Sequence, residues 1–156
     1  MLIEEKELAE FLTKANKQTY ANTEAPKAMS LRPDSHDYHF IEGDLVYHDT
    51  YFGARDFIGE EVVYKAGVVV WAMNYYGFVL SSEVSTKDAY KVLRPALKAE
   101  YDDLLPVRGP AYFVEERSEY RNVVEGTLER FTGEEEIFID GKLVARCHYH
   151  GGGISD

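Results

Sequence analysis

The chain has a single cysteine, Cys147, among 156 residues. That excludes an internal disulfide and any zinc cluster built on cysteine. Long apolar runs are missing too, and nothing approaches the roughly 20 consecutive apolar residues a membrane-spanning helix needs. The opening MLIEEKELAE has neither a basic leader nor an apolar core, so no secretory signal is expected and a cytoplasmic setting is. Positive charge is scarce: 17 Lys and Arg stand against 28 Asp and Glu, a net charge of −11. So acidic a surface repels phosphate backbones and anionic lipids, and neither direct nucleic-acid binding nor membrane binding is expected. The densest basic segment, Lys87, Lys91, Arg94 and Lys98, is interrupted by Asp88. No internal repeat and no low-complexity tract is evident.

What is present is ordinary globular material, 45% hydrophobic and 29% charged, with 12 tyrosines. Leu8, Phe11, Leu12 and Ala15 fall at helical spacing, with glutamates before them and lysines after, which predicts an N-terminal amphipathic helix ending near residues 16–19. Residues 20–33 read as a loop. DYHF, GDLVYHDTYF, EEVVYK and VVVWAMNYYGFVL read as strands, with Ala66-Gly67 as a hairpin turn. Ser85 and Asp88 resemble a helix cap, and Ala89, Val92, Leu93, Ala96, Leu97 and Tyr101 continue a helical stripe. Pro95 inside that stripe demands either a kink or the start of a second helix. Residues 112–116, 120–131, 135–139 and 142–149 read as further strands, with Asp140-Gly141 as a two-residue turn that sets Glu135 opposite Arg146. The expected class is α+β: a mainly antiparallel sheet of roughly six to eight strands, with the N-terminal helix and a central helical segment packed on it. Residues 1–150 are expected to form one domain and 151–156 a flexible tail. The Gly151-Gly152-Gly153 triplet has no helix after it to make a phosphate cradle.

Motifs for chemistry are few. His148 and His150 share a strand face, and His36 and His39 stand near Asp34 and Asp37, but no metal-binding signature joins them. No metal site and no cofactor is therefore expected. A GxSxG elbow is absent. Cys147 and His148 are strand neighbours that point to opposite faces, so they cannot form a nucleophile–base pair. The central strands are richer. Tyr47, Asp49 and Tyr51 share one face, as do Val69, Trp71, Met73 and Tyr75, and either Glu60 or Glu61 can reach the same side. Aromatic walls around a carboxylate suit a cleft that orients a ligand, and equally suit a packed core or a homodimer interface. Tyr47, Asp49, Tyr51, Glu60, Trp71 and Tyr75 are the candidate ligand-binding residues, with Arg32 and His36 from the preceding loop as lid residues. Two rivals stand beside small-molecule binding. One is an acid–base hydrolase or isomerase using Asp49 or Glu60 with a histidine. The other is a homodimeric interaction module.

Arg32-Pro33-x-Ser35, GDLVYHDTYFG, FIGEEVV, WAMNYYG and the closing CHYHGG together resemble an uncharacterised family of small bacterial domains, known only as a domain of unknown function. The resemblance covers roughly residues 8–153. Members occur alone or behind a helix-turn-helix head in transcriptional regulators. That implies a bacterial protein with a sensory or effector-binding role, and it carries no functional residues to transfer. The single N-terminal helix is too little for a helix-turn-helix head.

Overall fold

Residues 2–102 and 105–155 are described in a computed structural model of the chain. Helix α1 (Glu5–Gln18) buries Leu8, Phe11, Leu12 and Ala15, the stripe expected from their spacing. Each of the three larger side chains contributes about 1.5–3 kcal/mol by leaving water. A meander of four strands follows: β1 (His36–Glu42), β2 (Leu45–Gly53), β3 (Phe57–Lys65) and β4 (Val68–Val79). Two short helices come next, α2 (Thr86–Ala89) and α3 (Leu93–Lys98). Ser85 caps α2, its hydroxyl oxygen accepting from the Asp88 N–H at 3.1 Å. The second helix begins two residues before Pro95, so the proline sits in the first turn, where its missing N–H costs no helix bond. A second meander closes the chain: β5 (Tyr112–Glu115), β6 (Ser118–Thr127), β7 (Arg130–Ile139) and β8 (Lys142–Gly153). All eight strands form one antiparallel sheet in the order β1-β2-β3-β4-β8-β7-β6-β5. The fold is α+β.

Three expectations change. The stretch 120–131 is not one strand, because the chain turns at Leu128-Glu129 between β6 and β7. Gly151, Gly152 and Gly153 are strand, paired with Met73, Ala72 and Trp71, and the Ile154 N–H donates to the Val70 carbonyl at 3.0 Å. Glycine is needed at Gly151, where a Cβ would lie 2.3 Å from the Ala72 carbonyl oxygen. Only Asp156 of the expected tail lies outside the described residues. Arg146 stands opposite Glu136, at 2.5 Å, and Glu135 opposite Cys147. A β-bulge between Ile137 and Phe138 advances the register by one residue.

The strand order also reveals the repeat that the sequence conceals. β3 begins FIGEEVVY and β7, from its second residue, reads FTGEEEIF; β4 holds MNYYG and β8 CHYHG. Both meanders turn through residues of positive φ, Ala66-Gly67 and Asp140-Gly141, and both carry a bulge at the same place, Val63/Tyr64 and Ile137/Phe138. Gly53 and Gly126 end β2 and approach the end of β6 with positive φ in each half. The halves meet at β4–β8, where the equivalent residues Tyr75 and Tyr149 are direct partners across a pseudo-twofold. Each half supplies helical cover, α1 over one core cluster and α3 over the other. One extra residue between Gly126 and Phe131, relative to Gly53 and Phe57, breaks the sequence period.

Each central tyrosine lies on a glycine: a Cβ on Gly59 would meet the Tyr75 ring at 2.3 Å, and one on Gly133 the Tyr149 ring at 2.1 Å. Both rings are tethered by their hydroxyls and cannot swing away freely. Gly59→Ala and Gly133→Ala are each expected to cost about 1–3 kcal/mol by overpacking. An exposed control such as Val123→Ala should change stability by less than about 0.5 kcal/mol. Urea denaturation reads both, and a neutral Gly133→Ala would contradict the packing described.

Candidate functional site

The pseudo-twofold generates two polar clusters from equivalent residues, and they differ in charge. In the second half the carboxylate is Glu135, opposite Asn122 across β6–β7. Arg108, from the segment before β5, donates through Nε and Nη2 to the two Glu135 oxygens at 3.0 and 2.8 Å. The Tyr120 hydroxyl donates to Glu135 at 2.5 Å and accepts from the Gly109 N–H at 3.1 Å. Asn122 accepts from the Tyr149 hydroxyl at 2.7 Å and donates to the Gly109 carbonyl at 2.8 Å. The carboxylate is buried, paired and fully bonded, as burial of a charge requires.

In the first half the equivalent of Glu135 is Glu61, and that of Asn122 is Asp49. They face each other across β2–β3. The Tyr75 hydroxyl donates to Asp49 at 2.6 Å, and the Tyr47 hydroxyl stands beside Glu61. No arginine completes this cluster. Arg108 comes no nearer than 3.9 Å, between its Nη1 and Glu61 Oε1, and the buried Oε2 of Glu61 has no hydrogen-bond partner among the described residues. Two carboxyls, each no more than 4% exposed, thus oppose each other with one distant shared cation. Burial is the main cause that pushes Asp49 up to about 6; burial, then the Asp49 charge, pushes Glu61 up to about 8. Near neutral pH Glu61 holds its proton and Asp49 does not.

Above this unsatisfied pair lies a cavity of about 380 Å³, the size of a small-molecule site. The end of α1 brings Thr19 and Tyr20 to it, β2 and β4 bring Tyr47, Asp49, Tyr51 and Tyr75, and β3 brings Phe57 and Glu61. Tyr90, Leu93, Arg94 and Leu97 roof it from the α2–α3 segment, Arg108 closes the far side, and Lys27, His36 and Lys87 stand around it. The Phe57 ring lies 6.0 Å from Tyr75 and 5.5 Å from Tyr90, which joins wall to roof. The Arg94 guanidinium sits 4.6 Å over the Tyr20 ring, and Lys27 reaches His36 Nδ1 at 3.0 Å.

Of the residues singled out in the sequence, Tyr47, Asp49, Tyr51, Tyr75 and His36 line this cavity, and Arg32, Glu60 and Trp71 do not. Glu60 faces outward and accepts from Asn74 at 3.2 Å; Glu61 takes the inner position. Trp71 is wholly buried, stacked 5.8 Å from Phe131, with its indole N–H donating to the Leu128 carbonyl at 3.1 Å. Packing within one chain is its role, so it is neither pocket wall nor interface. A bulge opposite Val63 buries both Val70 and Trp71, so the inward face runs Trp71, Met73, Tyr75 without Val69. Arg32 lies behind the sheet, over Phe52 at 5.1 Å and donating to Thr50 at 3.2 Å. Tyr20, Tyr90, Arg94, Arg108 and the Glu135 cluster escaped sequence reasoning. The recurrence of F-x-G-E-E would have pointed to Glu61 and Glu135 together.

The other chemical candidates do not converge. Behind the sheet, Asp37 accepts from Ser35 at 2.5 Å and meets His48 Nε2 at 2.7 Å. The acid stands between serine and histidine, so nothing activates the serine. His36 and His39 point to opposite faces of β1, and His148 lies outside against Glu134 at 3.1 Å. Among the described residues no group of three or more His, Cys, Asp or Glu could hold a metal ion. Burial and the neighbouring Glu135 push the Cys147 thiol up, far from a thiolate nucleophile.

The class defined by these features is a doubled four-stranded meander whose helices roof one cavity over paired buried carboxyls. The chain belongs to the family described as domain of unknown function DUF5680, whose model matches residues 49–154. That span takes in Asp49, Glu61, Arg108 and the whole second half. Among curated proteins and among solved structures, nothing matches.

Asp49 and Glu61 bind their protons more tightly folded than unfolded, where 3.8 and 4.5 apply. Their contribution to stability is complete below about pH 4 and is lost as pH rises toward about 8. Asp49→Asn, which reproduces the arrangement at Asn122, is expected to be near neutral at about pH 4.5. At about pH 8 it should stabilise by on the order of 1–2 kcal/mol, by removing the opposed charge. Urea denaturation at the two pH values measures this, and a destabilised Asp49→Asn at high pH would refute it.

Proposed function

We propose that this domain binds a small organic molecule in the cavity roofed by α2–α3, as an effector-binding module without catalysis. The observation that carries this reading is the orphaned Oε2 of Glu61. A buried acceptor with no partner costs about 1–3 kcal/mol, and a ligand that satisfied it would recover that cost. The same group in the second half is fully bonded, so the deficit is local to the cavity. Walls of Tyr51, Phe57, Tyr90 and Leu97 supply apolar contact, and Tyr47, Asp49, Glu61 and Tyr75 supply orientation. The helix-turn-helix association implied by the family resemblance would make such a ligand the signal for a regulator. A cytoplasmic setting accords with one unpaired, buried cysteine.

Acid–base chemistry is the second reading, favoured by one observation. Two opposed carboxyls with values of about 6 and about 8 place an acid beside a base at neutral pH. Here Glu61, in place of a histidine, is Asp49's partner, and Glu60 lies outside the cavity. Turnover of a bound compound, lost in Glu61→Gln, would decide for it.

Binding is checked by thermal denaturation against a metabolite library. At a hundredfold excess over Kd a ligand adds about 2.7 kcal/mol, a rise in Tm of roughly 5–10 °C for a domain of this size. Leu97→Trp, which fills the cavity from its roof, is expected to abolish the rise. No response in the wild-type chain, or an equal one in Leu97→Trp, would sink the proposal.

A further inference from the structure

The two polar clusters differ at two positions, and both differences have the same sign. Arg108 gives Glu135 a bidentate guanidinium, whereas it only approaches Glu61, at 3.9 Å and without a hydrogen bond. Asn122 is neutral where Asp49 is an acid. With every acid ionised, the second cluster sums to zero and the first carries two negative charges. The missing positive charge and the cavity occur at the same place. Resting on the binding role proposed above, we infer that the ligand is an organic monocation. Its amine, amidine or guanidine group takes beside Glu61 and Asp49 the place that Arg108 takes beside Glu135, and its apolar body fills the aromatic part of the cavity.

Geometry supports this independently of charge. The Glu61 side chain is 95% buried, being 5% exposed, and its free oxygen can accept from an N–H donor. The flanking Tyr75 hydroxyl is already committed, donating to Asp49. A neutral alcohol would satisfy the orphaned oxygen but leave the charge uncompensated, and a carboxylate would add a third negative group. Lys27, Lys87 and Arg94 also line the cavity. They disfavour a second positive centre at the ligand's other end, which sets monoamines above diamines.

Binding should move a proton. The groups facing Glu61 are Tyr47 and Asp49 from β2, Tyr75 from β4, Glu135 from β7 and Arg108 from the loop before β5. Of these only Arg108 is cationic, and it is committed to Glu135. A ligand cation therefore favours ionised Glu61, and the proton that Glu61 holds at neutral pH is released to buffer.

Calorimetry on the full chain with phenethylamine and benzamidine as cations, phenethyl alcohol as the neutral isostere and 3-phenylpropionate as the anion tests the inference. The cations are expected to bind at least tenfold tighter than the neutral and anionic probes. At pH 7, titrations in buffers of different ionisation enthalpy should show release of up to one proton. Glu61→Gln and Asp49→Asn should each weaken the cations tenfold or more and lower their preference over phenethyl alcohol at least tenfold. Should Glu61→Gln fold poorly, Asp49→Asn and proton release in the wild-type chain carry the test. Equal binding of phenethyl alcohol or 3-phenylpropionate, or cation binding without proton release, overturns the charge assignment and leaves the cavity as a binding site. Binding of none of the four overturns the assignment, and if the metabolite library also fails, the binding role falls with it.

Discussion

The structure hangs on the β4–β8 ladder. It joins two four-stranded meanders into one sheet, and at its centre Tyr75 and Tyr149 are paired across the pseudo-twofold. Each ring reaches across its own half over a glycine, Gly59 or Gly133, and places its hydroxyl on the next strand, at Asp49 or Asn122. Packing and polar bonding are thereby fixed by the same two side chains. A larger residue at either glycine would move the ring, and with it the hydroxyl that holds the neighbouring polar group.

Symmetry supplies the frame, and its breakage leaves two buried acids opposed. Both halves bury a glutamate beneath a tyrosine hydroxyl, but only Glu135 receives an arginine. Burying an ion pair is tolerable when its geometry is complete, and burying opposed acids is not. The first half therefore stores an electrostatic deficit, held in place by the sheet around it. That deficit opens on the cavity formed where the short α2–α3 segment and the end of α1 meet over the strands. Local departures from optimal stability are expected at functional positions, which is why this pair anchors the binding proposal.

Much of this was legible in the residues. Period-two alternation put Tyr47, Asp49 and Tyr51 on one face, the spacing of Leu8, Phe11, Leu12 and Ala15 drew α1, and Ala66-Gly67 and Asp140-Gly141 marked their turns. One cause decides the Glu135 pairing, which was misread, and the choice between Glu60 and Glu61, which was open. In an unbulged hairpin from Ala66-Gly67, Glu60 would face Met73, and in one from Asp140-Gly141, Glu135 would face Arg146. A bulge in each hairpin slips both registers by one residue, bringing Glu61 opposite Met73 and Glu135 opposite Cys147. A one-residue slip reverses which side chain points inward, so Glu60 and Glu61 exchange places. The conspicuous Trp71 misled for another reason: pockets and cores are lined by the same residue types, and only its neighbours Phe131 and Leu128 decide between them.

By itself the sequence determined what is local and periodic: an acidic α+β chain, its first helix, two of its hairpin turns, and a tyrosine-flanked aspartate on an inward face. Backbone sterics, turn chemistry and side-chain alternation operate over a few residues and leave their mark in order along the chain. Tertiary structure alone decided which acids meet, that Arg108 bonds Glu135 and only approaches Glu61, and that Tyr20, Tyr90 and Arg94 enclose a cavity with them. Those contacts join residues tens of positions apart through a twofold that one inserted residue hides, and electrostatic balance depends on distances in space that no local pattern encodes.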